Sequence, residues 1–302
     1  MLIISYNLSP TLKDQLAKVE NLRKKILLTP VSPRTDMLLR WHAALAHLTG
    51  WASLSNQPLT RDAILEIIDS THTKTTTSLS TKVLNYKRCL DSIYLNWPAN
   101  PDPATPATIL ELAQTLAVSH GSEKEIASLL AYLQAGEVNP LIQSAMAHLY
   151  FYPNRLSYLA SLLFLAKYGY DLRGWLSLED YWSRDKDRYL KVIQQATESA
   201  TVTLWLEYFC QAIIDQMEKV YASLAHPTVT VDAQPFSFWY LTDRQTAIVA
   251  QLNQPGISIT NKKIQSVFKV SQITASRDLA KLVSLGVIFP HGHGRSTYYT
   301  RV

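Results

Sequence analysis

Cysteine is nearly missing from this sequence. Cys89 and Cys210 are the only two in 302 residues, too few for a disulfide scaffold, and no Cys/His set has zinc-ligand spacing. Long apolar runs are missing too: the start of the chain has neither the basic nor the apolar stretch of a secretory signal, and no uncharged run is apolar enough to span a bilayer. A cytoplasmic protein with no membrane partner is the expectation. Acidic charge is scarce in one place only. Residues 237–302 carry Arg244, Lys262, Lys263, Lys269, Arg277, Lys281, Arg295 and Arg301 against Asp243 and Asp278, a net +6, whereas the remainder comes to −1. That asymmetry points to a polyanionic partner for the C-terminal segment. With 47% hydrophobic residues the chain can build a core in each of two or three domains, which excludes disordered, collagen-like and coiled-coil classes.

Most of the chain reads as helix. Leu12, Leu16, Val19 and Leu22 repeat on one face before Pro30 and Pro33, a second periodic stretch covers 38–54, and a third, 60–68, starts with a Thr cap. Residues 70–81, with six threonines, read as an exposed loop. After a helix at 83–95, Pro98, Pro101, Pro103 and Pro106 read as a stiff linker. Asn139-Pro140 has the form of an N-cap and first helical residue, opening a helix that a few residues, Tyr152-Pro153-Asn154, join to the next one at 155–167. Helices at 175–196 and 201–224 follow, and 227–236 reads as an extended linker.

The last 66 residues have a different pattern. Thr242 and Gln245 form a capping box for a first helix, 260–268 is a second, and Ser271 caps a third with Ala275, Leu279 and Leu282 inward. Two strands around a glycine-rich basic turn complete a winged helix-turn-helix. In such a fold the third helix enters the major groove of duplex DNA by its N-terminal turns. Its outward side holds Ser271, Gln272, Ile273, Ser276 and Arg277: Gln suits adenine, Arg guanine or phosphate, and Ile a thymine methyl. Lys262, Lys263, Lys281, His293 and Arg295 complete the expected DNA-binding set, the basic ones as phosphate contacts.

The run from Ser271 through Gln-Ile-Thr-Ala-Ser-Arg-Asp to Leu279, followed by a Gly-Arg-Ser-Thr-Tyr-Tyr wing, resembles the winged helix often found at the C-terminus of Fic (filamentation-induced-by-cAMP) family proteins. The helical centre resembles the Fic fold itself in Asn139-Pro140, His148 to Phe151, Lys167 to Asp171, Leu178 to Trp182 and Asp185 to Tyr189. The resemblance covers residues 105–302. It implies a mainly α protein: an N-terminal helical region at 1–104, a Fic-like domain at 105–226, and a small α+β winged helix at 237–302.

The family's nucleotide transfer, usually of AMP onto a protein hydroxyl, depends on a loop of form H-x-F-x-[DE]-G-N-G-R-x-x-R. There the His is the general base, the acid holds Mg²⁺ and the glycines let N–H groups cradle phosphates. This sequence goes from Phe151 through Tyr152-Pro153-Asn154 to Arg155, about eight residues short of that pattern. Arg155 matches the closing Arg, Tyr158 stands where a second is expected, and no glycine lies between Gly136 and Gly169. The family's inhibitory helix, [ST]-x-x-x-E-[GN], is also decayed, with Ser55 in the Glu position. The resemblance thus implies no catalytic residue, nucleotide site, metal or other cofactor.

Other candidates are weak. His42 and His47 share no helix face, His291 and His293 read as a basic turn, and Asp180, Asp185 and Asp187 read as solvent-facing. Trp175, Trp182 and Trp205 read as core or dimer contacts. The expected function is a homodimeric transcriptional regulator that binds double-stranded DNA and is built on an inactive Fic-like domain; any small-molecule ligand is unspecified. Two alternatives stand: AMP transfer by a divergent site, and a protein-binding adaptor or antitoxin-like role.

Overall fold

The structure, a computed structural model, describes residues 5–69, 77–135, 138–225, 242–252, 257–284, 288–292 and 297–301. It divides into two compact units, one of Met1–Pro30 and Leu39–Val229, the other of Val31–Leu38 and Thr230–Val302. The boundary expected at residue 104 falls inside the first unit. The linker expected at 227–236 and most of the Thr-rich loop lie outside the described residues.

The helices up to residue 225 are α1 (Pro10–Leu28), α2 (Pro33–Leu54), α3 (Arg61–Asp69), α4 (Ser78–Asn96), α5 (Pro106–Leu116), α6 (Glu123–Leu133), α7 (Pro140–Phe151), α8 (Leu156–Lys167), α9 (Leu178–Arg184), α10 (Lys186–Glu198) and α11 (Thr203–Ala225). Local capping starts many of them. Ser9, Thr105, Ser122 and Asn139 each accept a hydrogen bond from an N–H of the first turn, and proline follows directly after three of the four.

At the centre lies the α7–α8 hairpin. Every residue of α8 except Tyr158 is buried, as are Leu141 to Leu149 of α7. A helix covered on all sides needs neighbours all round. Helices α6, α10 and α11 pack on α7, α4 and α5 pack on α8, and α1 lies along α11. Ser144 and Ser161 let the two central helices approach, with the Ser144 hydroxyl 2.8 Å from the Ser161 carbonyl.

Three sequence expectations change. Residues 78–81 belong to α4, because Thr77 caps it, rather than to a loop. The proline segment is tied to the unit: the buried Lys167 ammonium donates to the carbonyls of Asn100 and Asp102, and the Ala99 N–H to the Ala166 carbonyl. The helix expected at 175–196 is broken at Asp185, whose carboxylate caps α10.

The second unit contains α12 (Asp243–Gln251), β1 (Ser258–Thr260), α13 (Asn261–Phe268), α14 (Gln272–Ser284), β2 (Ile288–His291) and β3 (Tyr298–Arg301). The strands form an antiparallel sheet of order β1-β3-β2, with Ile259 opposite Tyr299 and Phe289 opposite Thr300. Strand β1 is an addition to the two strands expected; three residues are too short to show a periodic signal. The core is Ile248, Leu252, Ile259, Ile264, Ala275, Leu279, Leu282 and Ile288. Lys269, at φ +50°, ends α13 in the left-handed region and starts the tight turn into α14.

Candidate functional site

Helix α14 separates its residues cleanly. Ala275, Leu279 and Leu282 are buried, while Gln272, Ile273, Ser276 and Arg277 are exposed, Ile273 to 66%. Ile273 is one of several large apolar side chains that the described residues leave at the surface, with Leu95 and Leu204 exposed to a similar degree. Ser271 caps the helix, accepting from the Thr274 N–H at 3.2 Å. Lys262 and Lys263 are exposed in the first turn of α13, and Lys281 is half-buried. His293 and Arg295 lie outside the described residues.

The acids of this unit do not dilute its surface charge equally. Asp278 is 4% exposed and accepts from Arg244 Nε at 2.6 Å and from Gln245 Nε2 at 2.7 Å. One acid and one base therefore cancel each other, the buried carboxylate holding a part-exposed arginine and clamping α12 to α14. Lys262, Lys263, Lys269 and Arg277 remain exposed, so the outward charge stays positive.

The second place is the α7–α8 turn. The Tyr152 N–H donates to the His148 carbonyl, that of Asn154 to Phe151, that of Ser157 to Asn154, and that of Leu156 to the Asn154 side chain. The remaining position between Tyr152 and Asn154 is Pro153, which has no N–H and follows a cis peptide bond. Asn154 also donates to the Ser119 carbonyl at 2.6 Å, and the Arg155 guanidinium lies 5.4 Å from the Trp51 ring centre. A phosphate cradle needs several convergent N–H groups without partners. Here four are already bonded, and the turn holds no acid to bind Mg²⁺, so these residues do not fit a magnesium–nucleotide pair.

Beneath the turn the polar groups are only partly paired: His148 Nδ1, Trp182 Nε1 and the Ser157 hydroxyl are buried without a hydrogen-bond partner. His148 is fully buried among Tyr158, Trp182, Tyr189 and Trp205, with Nε2 at 2.9 Å from the Tyr189 hydroxyl. Burial pushes its imidazole down to about 3. Trp175, Trp182 and Trp205 are all core, at 4%, 1% and 0% exposure. Asp180 pairs with Arg184, and Asp185 is a cap.

Glu179 is the residue that sequence reasoning passed over. It is 2% exposed, accepts from the Tyr86 hydroxyl, and lies 2.6 Å from His47 Nδ1; His47 Nε2 is 2.9 Å from the Tyr94 hydroxyl. Burial pushes the Glu179 carboxyl up, but the charge of His47 and the hydrogen bonds from His47 and Tyr86 outweigh this and hold it below the usual carboxylate value. Burial, followed by the nearby Glu179 charge, holds the Tyr86 phenol well above its usual value. The available signal was position: Leu178, Glu179 and Trp182 share the buried side of α9. Among the described residues no group of three or more His, Cys, Asp or Glu is placed to hold a metal ion, and no helix is long and apolar enough to cross a membrane.

No protein-family model matches the sequence, and no curated protein matches it. Solved structures do. A Fic family protein from Desulfovibrio desulfuricans G20 aligns over 99% of this chain and 98% of its own, at 15% identity and a TM-score of 0.61. A Fic domain containing signaling protein from Bacteroides thetaiotaomicron VPI-5482 aligns over 72% of this chain and 98% of its own, at 17% identity and a TM-score of 0.53. The chain therefore has the fold seen in these Fic proteins.

Proposed function

We propose that this chain is a DNA-binding transcriptional regulator whose second unit acts as a winged helix-turn-helix, carried by a Fic-like helical unit that has lost nucleotide transfer. The observation behind it is the outward face of α14: Gln272, Ile273, Ser276 and Arg277 are exposed together beside exposed Lys262 and Lys263. Helix, turn and helix, followed by a β-hairpin, present that face as a groove-reading element. Binding as a homodimer sets two such helices on half-sites one DNA turn apart, about 34–36 Å. The bonded α7–α8 turn supports the second half of the reading.

Fluorescence titration of the full chain with duplex genomic fragments tests the first half. Binding that weakens steeply with salt and drops on Arg277→Ala supports it; absent binding overturns it. Incubation with labelled ATP and lysate tests the second, and transferred label would overturn it. Co-purification of a protein partner in place of nucleic acid would favour an adaptor role.

A further inference from the structure

Asn261, the first residue of α13, reaches across the turn to α14. Its Nδ2 lies 2.8 Å from the Ser276 hydroxyl oxygen and 3.5 Å from the Gln272 carbonyl, and its Oδ1 accepts from Gln265 Nε2. The orientation of this amide follows from chemistry. A carbonyl oxygen faces its inner end, so that end is the donating nitrogen, and the Gln265 amide donates to the other. Ser276 therefore accepts from Asn261, which leaves its own proton available to another acceptor.

We infer that Asn261 makes Ser276 a directed hydrogen-bond donor on the exposed face of α14, so that the chain selects a base edge bearing an acceptor at the position Ser276 meets. This rests on the DNA-binding reading and deepens it. A free serine hydroxyl rotates and serves donors and acceptors alike, so it discriminates poorly. One that already accepts a hydrogen bond keeps a single lone pair and becomes a stronger donor, so it prefers the acceptors of the major groove, N7 and O6 of guanine, N7 of adenine or O4 of thymine, over the N–H₂ group of cytosine. Asn261 is a positioning residue here: it acts through Ser276, with Gln265 holding it in turn.

The test begins with selection of preferred duplexes from a random library by the full chain, followed by titration of every single-base-pair variant of the selected site. Wild type, Ser276→Ala, Asn261→Ala and Asn261→Asp are compared. Ser276→Ala and Asn261→Ala are each expected to flatten discrimination at the same one or two base pairs by about fivefold to tenfold, the weight of one hydrogen bond, leaving the salt dependence unchanged. Asn261→Asp replaces the donor with an acceptor, takes up the serine proton, and is expected to shift preference at that position toward a base bearing a donor. A uniform loss across all sites, or flattening by Ser276→Ala with none by Asn261→Ala, overturns the inference while the DNA-binding reading stands. A wild-type chain that enriches no sequence overturns that reading, and the inference with it. Melting temperatures within a few degrees of wild type separate these outcomes from misfolding.

Discussion

The helical unit and the C-terminal unit use polar side chains in opposite ways. In the first, Glu179, His47, His148 and Lys167 are 0–5% exposed, and each is held by another group of the same unit. In the second, one buried carboxylate, Asp278, takes up one arginine, while Gln272, Ser276, Arg277, Lys262 and Lys263 remain on the surface. Polar groups with matched partners inside a protein hold it together; those displayed together on one exposed helix face are available to something outside. The fold resembles that of the Fic proteins, and in this chain four N–H groups of the α7–α8 turn are already bonded.

That contrast predicts where mutations act. Glu179→Ala leaves His47 and Tyr86 without their buried partner and is expected to destabilise the helical unit by about 3–5 kcal/mol, read from denaturant unfolding followed by tryptophan fluorescence. Acid should act on the same unit. The His148 imidazole titrates at about 3 when folded and at 6.5 unfolded, so its stabilisation is complete above pH 6.5 and is lost as pH falls toward 3, at no more than about 1.4 kcal/mol per pH unit. Asp171 opposes this. Burial, outweighing backbone hydrogen bonds and the charge of Arg40, pushes its carboxyl up to about 6, so protonation favours the fold as pH falls from 6 to 3.8. Asp171→Asn should therefore steepen the acid loss, visible as a larger fall of the urea midpoint between pH 6 and 4.

Gly50→Ala is expected to cost about 1–3 kcal/mol, because a Cβ there would sit 2.4 Å from the Asp180 nitrogen and push α2 off the start of α9. It should displace Glu179 from His47 and lower the melting temperature without touching the second unit's surface. Smallest in stability is Arg277→Ala, within about 0.5 kcal/mol of wild type. The same substitution should nonetheless weaken DNA binding about tenfold or more. A stability loss comparable to that of Glu179→Ala would break the comparison, since it would make Arg277 part of the fold.

The helix starts after Asn139 and Thr242, the inward residues of α14 and the short α7–α8 connection were all legible in the linear pattern. Each is set within a few residues, by capping, proline or a 3.6-residue period. The break at Asp185 was hidden because 175–196 keeps its apolar spacing through it, and β1 because three residues carry no period. The order of sequence words also carried the fold, even though no family model matches. Glu179 looked like one acid among several in 179–187, and Asn261 like any polar helix start.

By itself the sequence determined where positive charge gathers, that the chain is mostly helical with a small mixed unit at its end, and that only Tyr152-Pro153-Asn154 separate two apolar helices. Those properties depend on composition and on neighbours along the chain. The tertiary structure alone decided that Glu179 meets His47, which is 132 residues away, and that four N–H groups of the α7–α8 turn are bonded. It alone decided that the Asn261 amide reaches the Ser276 hydroxyl across the turn. Ionic pairs and hydrogen bonds depend on distances of a few ångströms between side chains, and those distances exist only once packing has brought separate helices together.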